Sequence, residues 1–119
     1  MDFWVSACAA YIKNKLKKHK LWLEGKQGGE KLILIDRNLK NIDFSGLDLS
    51  FSNLSQCNLS GTNFKGAKLI GTYLARVNLE KSNLTACNLY GASLIGASLV
   101  NAKLDATILD KTVLLSTRF

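Results

Sequence analysis

A strict five-residue repeat runs from Leu34 to Phe119. Every fifth residue in this range is Leu or Phe, over eighteen consecutive positions without a slip in register. We call these residues the centre positions: Leu34, Leu39, Phe44, Leu49, Leu54, Leu59, Phe64, Leu69, Leu74, Leu79, Leu84, Leu89, Leu94, Leu99, Leu104, Leu109, Leu114 and Phe119. An α-helix repeats every 3.6 residues and a β-strand every 2, so a period of five indicates an internal repeat instead of either element alone. Such a repeat has to be interpreted before any single motif.

The residues around each centre position follow a pattern of their own. Two residues before the centre, every residue from Ser52 onward is Ala, Ser, Thr, Cys or Val, and glycine often stands two residues after it. Directly before the centre, Asn or Asp recurs: Asn38, Asp43, Asp48, Asn53, Asn58, Asn63, Asn78, Asn83 and Asn88. So short a unit cannot bury its apolar residue alone, so stacked units must share a continuous core. We expect the centre and the small residue to point inward, and the glycine or a polar residue to turn each corner.

Strings such as Cys57-Asn58-Leu59-Ser60-Gly61 and Cys87-Asn88-Leu89-Tyr90-Gly91 resemble the A(D/N)LXX unit of pentapeptide-repeat proteins. The resemblance implies an all-β solenoid, a right-handed quadrilateral β-helix with four pentapeptides per square turn. Eighteen units over residues 32–119 then predict about 4.5 turns, stacked at roughly 4.8 Å. Residues twenty apart would be neighbours in adjacent turns, so the sequence predicts which side chains share each face.

One arginine and the three cysteines test how regular the interior of the predicted solenoid can be. Arg37 occupies an inward position, where a charge is costly to bury unless it escapes to solvent or pairs, so we expect the first one or two units to be irregular. Cys8, Cys57 and Cys87 form no metal-type pair and are interpreted as small buried thiols. Cys57 and Cys87 are thirty residues apart, which would place them in opposite walls and exclude a disulfide between them.

Residues 1–31 precede the repeat and predict an amphipathic α-helix from Asp2 to about Glu24. Its apolar stripe, at three- and four-residue spacing, comprises Val5, Cys8, Ile12, Leu16, His19 and Leu23. Asp2 can cap this helix and Gly25 can end it. His19 is the one histidine of the chain and lies on the apolar stripe, so we interpret it as a packed core residue instead of a ligand or a catalyst.

The predicted helix is strongly basic. Its lysines are Lys13, Lys15, Lys17, Lys18 and Lys20. The whole chain carries a formal net charge of +7. Two interpretations are open: a solvated face on a helix whose apolar stripe caps the repeat stack, or a basic footprint for nucleic acid, an anionic surface or an acidic protein.

Nothing in the sequence predicts an enzyme. There is one histidine, no plausible pair of nucleophile and base, and no cluster with metal-ligand spacing, so we predict no catalytic, cofactor-binding or metal-binding residues. No apolar run approaches the roughly 20 residues that a membrane-spanning helix needs. The N-terminus does not resemble a signal peptide, because an acidic residue precedes the apolar segment and the lysines follow it. We therefore expect a cytoplasmic protein.

Two outward-facing sets of apolar residues are candidate binding surfaces. The first falls on two adjoining faces and the corner between them: Phe51, Ile70, Tyr73, Tyr90 and Ile95. Such grouping indicates a protein-binding surface, and the alternative is that the N-terminal helix folds over it. The second set is in the last turn: Ile108, Val113, Leu115 and Phe119. An open strand edge there predicts a homodimer through the C-terminal end of the solenoid.

Three functions follow from these features. The first is a protein-binding rod, an inhibitor or adaptor acting on a host or viral protein; the segment Lys18–Gly29 resembles leaders on short phage and prophage pentapeptide-repeat proteins. The second is a modulator of DNA gyrase or another topoisomerase, which the family resemblance implies through DNA mimicry. The net positive charge of residues 32–119 argues against that mimicry. The third is a nucleic-acid binder that uses the basic helix.

Overall fold

A computed structural model of the protein describes residues 7–119. The chain divides into two compact units, Met1–Leu32 and Ile33–Phe119, of which the first is described from residue 7 onward. Asp2 and Val5, which the sequence places at the start of the helix, lie outside the described residues. In its described part the first unit contains one α-helix, and the second unit contains the five-residue repeat.

Helix α1 spans Ala7–Leu23. Beyond its last turn, Gly25 has a φ of 68°, a left-handed conformation that glycine adopts without a steric penalty. The Lys26 N–H donates to the Leu21 carbonyl at 2.9 Å, and the Gly25 N–H donates to the Trp22 carbonyl at 3.1 Å. This pair of bonds is a Schellman motif, which satisfies carbonyls that the helix end would leave without partners. The prediction that Gly25 ends the helix is confirmed.

The buried face of α1 carries Ala9, Ile12 and His19. The His19 ring accepts a hydrogen bond at Nδ1 from the Leu32 N–H at 2.9 Å, so the imidazole is a packed core group, as predicted. Cys8 is exposed, and its prediction as a buried thiol is wrong. In the first turn it is Ala9 that shares a face with Ile12, three residues further on, so Cys8 falls at the edge of the buried stripe.

The second unit is a coil in which each turn contains four pentapeptides. Parallel β-bridges join residues twenty apart, from Ile33 with Asn53 to Ser98 with Arg118. Among the described residues, each side of a turn contributes a single bridged residue instead of a longer strand. The predicted stacking of residues twenty apart is therefore confirmed. Ile33 and Asn38 already form regular bridges, so the prediction that the first one or two units are irregular is wrong.

Each corner of the coil is a tight turn. The residue two places after each centre position has a positive φ, between 56° and 69° at all seventeen corners. The next residue usually donates its N–H back to the centre carbonyl, as Cys57 does to Leu54 at 3.2 Å. A left-handed residue at the third position of a hydrogen-bonded turn is the pattern of a type II turn, in which glycine is favoured.

Centre positions form the core. Those from Leu34 to Leu99 are 0–2% exposed, and the rings of Phe44 and Phe64, one turn apart, stack with centroids 5.2 Å apart. The small residues two places earlier are also buried from Ser52 onward, until the last turn. Arg37 holds an inward position in the register, but it is exposed, so its side chain escapes from the interior. Its long side chain reaches solvent because burying the charge would cost several kcal/mol, of order the desolvation of an ion.

The recurring Asn and Asp residues form hydrogen bonds with the backbone on the outer surface of the coil. All nine accept a hydrogen bond at Oδ1 from the N–H two residues ahead, at 2.9–3.2 Å. Asn58, for example, accepts from the Ser60 N–H at 3.0 Å. Asn and Asp favour this local bond because their short side chains can reach the backbone of the following turn. It explains why these residue types recur directly before the centre.

Candidate protein-interaction surface

Four ladders of outward side chains run along the repeat unit, one on each side of the coil. The ladder that contains Tyr73 is continuous, because Ile33 bridges Asn53, Asn53 bridges Tyr73, Tyr73 bridges Ser93 and Ser93 bridges Val113. The corner positions that follow it two residues later are Ile35, Ser55, Ala75, Ile95 and Leu115. We call these ten positions together the uncharged side.

The name reflects the charge distribution over residues 33–119. None of the ten positions carries a charge at neutral pH, since none is Asp, Glu, Lys, Arg or His. Each of the other three ladders carries charge, for example Arg118, Asp43 and Lys68. Charged residues are depleted from the centres of protein interfaces, since removing an ion from water is costly. The uncharged side is therefore the part of the repeat surface that another protein could cover at the lowest desolvation cost.

Four of the five residues predicted as a partner-binding surface are exposed: Phe51 by 47%, Tyr73 by 53%, Tyr90 by 44% and Ile95 by 41%. Ile70 is half-buried. Tyr73 and Ile95 belong to the uncharged side, while the other three lie on the corner that precedes it. The structure thus brings the predicted residues to one side of the coil and its adjoining corner.

Phe51 shows how this corner is built. It has a φ of 66°, unusual for a large side chain, and its ring lies over Gly71 in the next turn. A Cβ at Gly71 would stand 2.9 Å from two ring carbons of Phe51, so only glycine leaves room for the ring. The ring is therefore held against the surface by the neighbouring turn, with about half of its area exposed.

The sequence prediction missed two residues of the uncharged side. Ile33 is 52% exposed and Ile35 is 45% exposed, both in the first turn. Ile33 precedes Tyr73 by 40 residues and Ile35 precedes Ile95 by 60 residues, so the twenty-residue register predicts their position. The expectation that the first one or two units are irregular left them out of the predicted surface. With these two residues, the exposed apolar residues of the uncharged side begin in the first turn.

The residues predicted at the C-terminal end are also exposed: Ile108 by 43%, Val113 by 45%, Leu115 by 69% and Phe119 by 61%. Val113 and Leu115 belong to the uncharged side, so the two predicted surfaces are continuous with each other. In this last turn the centre residues Leu104, Leu109 and Leu114 are only half-buried.

The lysines of α1 differ in their surroundings. Lys13, Lys17 and Lys20 are exposed, whereas Lys15 and Lys18 are half-buried. Lys15 Nζ lies 5.5 Å from the centre of the Tyr11 ring, within the range of a cation–π contact. Lys18 Nζ lies 3.2 Å from a carboxylate oxygen of Glu30. Half-exposed pairs of this kind contribute little to stability, about 0–1 kcal/mol.

A protein-family model described as Pentapeptide repeats (8 copies) matches residues 38–74 and 72–110, which is more than half of the chain. The chain belongs to the pentapeptide-repeat family. No curated protein matches it significantly.

Solved structures of other pentapeptide-repeat proteins are similar to this chain. A pentapeptide-repeat protein from Nostoc Pcc 7120 is 27% identical with a TM-score of 0.65, and the match covers 76% of this chain and 71% of that one. One from the thylakoid lumen of Arabidopsis thaliana is 28% identical with a TM-score of 0.47, covering 65% and 61%. QnrB1, a plasmid-mediated fluoroquinolone resistance protein, is 20% identical with a TM-score of 0.42, covering 60% and 47%. The Nostoc structure supports the shared fold.

Among the described residues of this pentapeptide-repeat protein, no three His, Cys, Asp or Glu side chains come together as a metal ion would need. Desolvation raises the pKa of the buried Cys87 thiol to about 12 and raises the pKa of Cys57 as well. The thiols of Cys8, Cys57 and Cys87 are free. Among residues 7–119, no helix has both the length and the apolar character needed to cross a bilayer.

Proposed function

We propose that this pentapeptide-repeat protein is a non-enzymatic, cytoplasmic protein-binding module, an inhibitor or adaptor that acts on a host or viral protein. The observation that carries the proposal is the uncharged side, with Tyr73 and Ile95 exposed on it and Phe51 and Tyr90 on the adjoining corner. The repeat unit takes the right-handed quadrilateral form that its family resemblance implies. A rigid solenoid of this kind presents its ladders as a flat, regular surface.

The side chains on this surface suit a protein partner. Tyrosine is enriched among the residues that contribute most to protein–protein binding, because its ring buries a large area and its hydroxyl can still form a hydrogen bond. Five ladder positions at roughly 4.8 Å spacing make the uncharged side about 19 Å long. Tyr73 lies in the middle of that length, where a partner would exclude water most completely.

The test is affinity capture from lysate of the native host with the double variant Tyr73→Ala, Tyr90→Ala. We expect the wild type to retain a specific protein that the variant loses, because truncating a central aromatic contact costs about 2 kcal/mol or more. The matched control is Lys65→Ala, Lys103→Ala, which truncates two exposed side chains on another side of the coil and should retain the partner. Capture of the same proteins by wild type, double variant and control would contradict the proposal.

The proposal includes a homodimer through the last turn of the repeat. Leu115 and Phe119 are the two most exposed apolar residues there, and the half-buried centre leucines of that turn would be covered by a second copy. A symmetric pair would bury the same surface on both subunits.

Light scattering coupled to size exclusion tests this dimer. We expect a dimer for the wild type and a monomer for Leu115→Lys, because a desolvated lysine in the contact is costly. Ile35→Lys is the control, since Ile35 occupies the equivalent corner position in the first turn. A wild-type monomer at micromolar concentration would rule out the dimer, and so would dissociation by both variants equally.

A further inference from the structure

Helix α1 carries five lysines and no acidic residue between Ala7 and Leu23. Lys13, Lys17 and Lys20 are spaced by four and three residues, so they form one line along the helix, and all three are exposed. Lys17 and Lys20 have no carboxylate partner among the described residues. At a rise of 1.5 Å per residue, this lysine line is about 10 Å long.

A second line of side chains follows the same helix. Tyr11, Lys15, Lys18 and Trp22 are spaced by four, three and four residues, and the two rings at its ends are 41% and 38% exposed. His19 stacks against the Trp22 ring with centroids 5.4 Å apart, which holds that ring in place from its buried side. We call this the aromatic line. At 3.6 residues per turn it lies about 160° around the helix from the lysine line.

The two lines bound the solvent-exposed side of α1, because Ile12 and His19 on the remaining side are fully buried. One boundary carries the three exposed lysines. The other carries the two exposed rings, and the lysines between those rings are engaged, Lys15 with the Tyr11 ring and Lys18 with Glu30. A single-stranded nucleic acid has the same division, with phosphates along one edge and bases along the other. Proteins bind such strands by combining positive charge along the backbone with rings on which bases stack.

We propose that the exposed side of α1 binds single-stranded nucleic acid, with phosphates along the lysine line and bases on Tyr11 and Trp22. An anionic membrane fits this side less well. A helix that lies in a membrane surface inserts an aliphatic face, and here the aliphatic residue Ile12 is buried within the protein.

Salt-dependent binding of a fluorescein-labelled oligo(dT) 12-mer, followed by anisotropy, tests the lysine line. Each phosphate contact to a single strand contributes about −0.7 to the slope of log K against log salt concentration. The variant Lys13→Gln, Lys17→Gln, Lys20→Gln should flatten that slope by about 2 and weaken binding at least tenfold at low salt. The matched control is Lys65→Gln, Lys68→Gln, Lys103→Gln, which removes three exposed charges from the repeat unit and should leave the slope nearly unchanged.

Tryptophan fluorescence tests the aromatic line. A Trp4→Phe background leaves Trp22 as the one tryptophan, and stacking of a thymine on it should quench its emission on titration with oligo(dT). Tyr11→Ala should weaken binding about fivefold or more, since a stacked base contributes substantially to affinity. Tyr90→Ala in the repeat unit is the control and should bind as the wild type does.

Three results would overturn the proposal. The first is absence of oligo(dT) binding at about 20 mM salt, because phosphate contacts are strong when the salt concentration is low. The second is equal loss of binding in the two triple variants, which would indicate general attraction to a basic protein. The third is sedimentation with phosphatidylserine vesicles without any binding of oligo(dT), which would assign the basic helix to a membrane surface.

Discussion

Ala86 occupies a backbone conformation that costs free energy to an L-amino acid. Its φ is 56°, at a corner where other turns of the repeat have glycine. A left-handed residue with a Cβ is disfavoured by roughly 1–2 kcal/mol, while glycine loses about 0.5–1 kcal/mol more backbone entropy on folding. We therefore expect Ala86→Gly to raise the free energy of unfolding by about 0.5–1 kcal/mol, measured by urea denaturation.

The matched control for that prediction is Ala75→Gly. Ala75 is the corner residue that directly precedes the left-handed Arg76, and it does not itself have a positive φ. Glycine at position 75 relieves no backbone strain and raises the entropy of the unfolded chain. Ala75→Gly should therefore lower the free energy of unfolding. Stabilisation of both variants, or of neither, would show that corner strain does not decide the choice of residue.

Thiol reactivity separates the three cysteines. Cys87 is buried, and a pKa of about 12 keeps it protonated and unreactive at pH 8, whereas Cys8 is exposed. We expect one thiol per chain to react with Ellman's reagent in the native protein and three after unfolding, because the thiolate is the nucleophile. Rapid reaction of three thiols in the folded state would contradict the burial of Cys57 and Cys87.

The same burial predicts a pH dependence of stability. The pKa of Cys87 is raised from an ordinary value of 9.0 to about 12, so the folded protein retains a proton that the unfolded chain loses. The contribution of this thiol to stability is complete below pH 9 and is lost as pH rises toward 12. Cys87→Ala should reduce the fall in unfolding free energy over that interval, measured against the wild type by denaturant titration.

At the scale of elements, centre residues twenty apart stack in one column of the core, and their burial can be compared from turn to turn. Leu84 and Leu104 occupy the same column one turn apart, but Leu84 is 0% exposed and Leu104 is half-buried. Leu84→Ala should cost about 2–5 kcal/mol of unfolding free energy, as for buried leucines generally. In the Leu115→Lys background, which we expect to be monomeric, Leu104→Ala should cost about half as much, because its side chain loses less contact with the core. Equal costs of the two substitutions in that monomeric background, measured by urea denaturation, would contradict the partial burial of Leu104.

The sequence predicted the elements unequally. The period of five, together with the four units per turn that the family resemblance implies, predicts that Asn58 and Asn78 bridge, because residues twenty apart then stack in adjacent turns. A helical stripe is less restrictive, since it does not specify which of two neighbours in the first turn is buried, so the spacing does not distinguish Cys8 from Ala9. The exposure of Arg37 does not follow from the register either, because a long side chain can leave an inward position while the backbone stays regular.

Over the whole molecule, charge argues against mimicry of DNA. The chain carries a net charge of +7, and lysines at outward positions of the repeat are exposed, including Lys40, Lys81 and Lys111. A surface that competes with DNA for a cationic site must be acidic. We therefore expect no inhibition of DNA gyrase supercoiling at micromolar concentration in an agarose-gel assay, with catalytic inhibition in that assay as the contradictory result.

The twenty-residue spacing of the β-bridges has a consequence for how such a chain tolerates insertions and deletions. Inserting twenty residues between Gly91 and Ala92 would lengthen the coil and leave Tyr73 and Val113 on the same side. Inserting five would preserve the core equally well, since the centre positions stay in phase, but would rotate everything downstream by a quarter turn. The core thus depends on a period of five residues, whereas the position of outward side chains depends on a period of twenty. One unit gained or lost can therefore rearrange a binding surface without disturbing the fold.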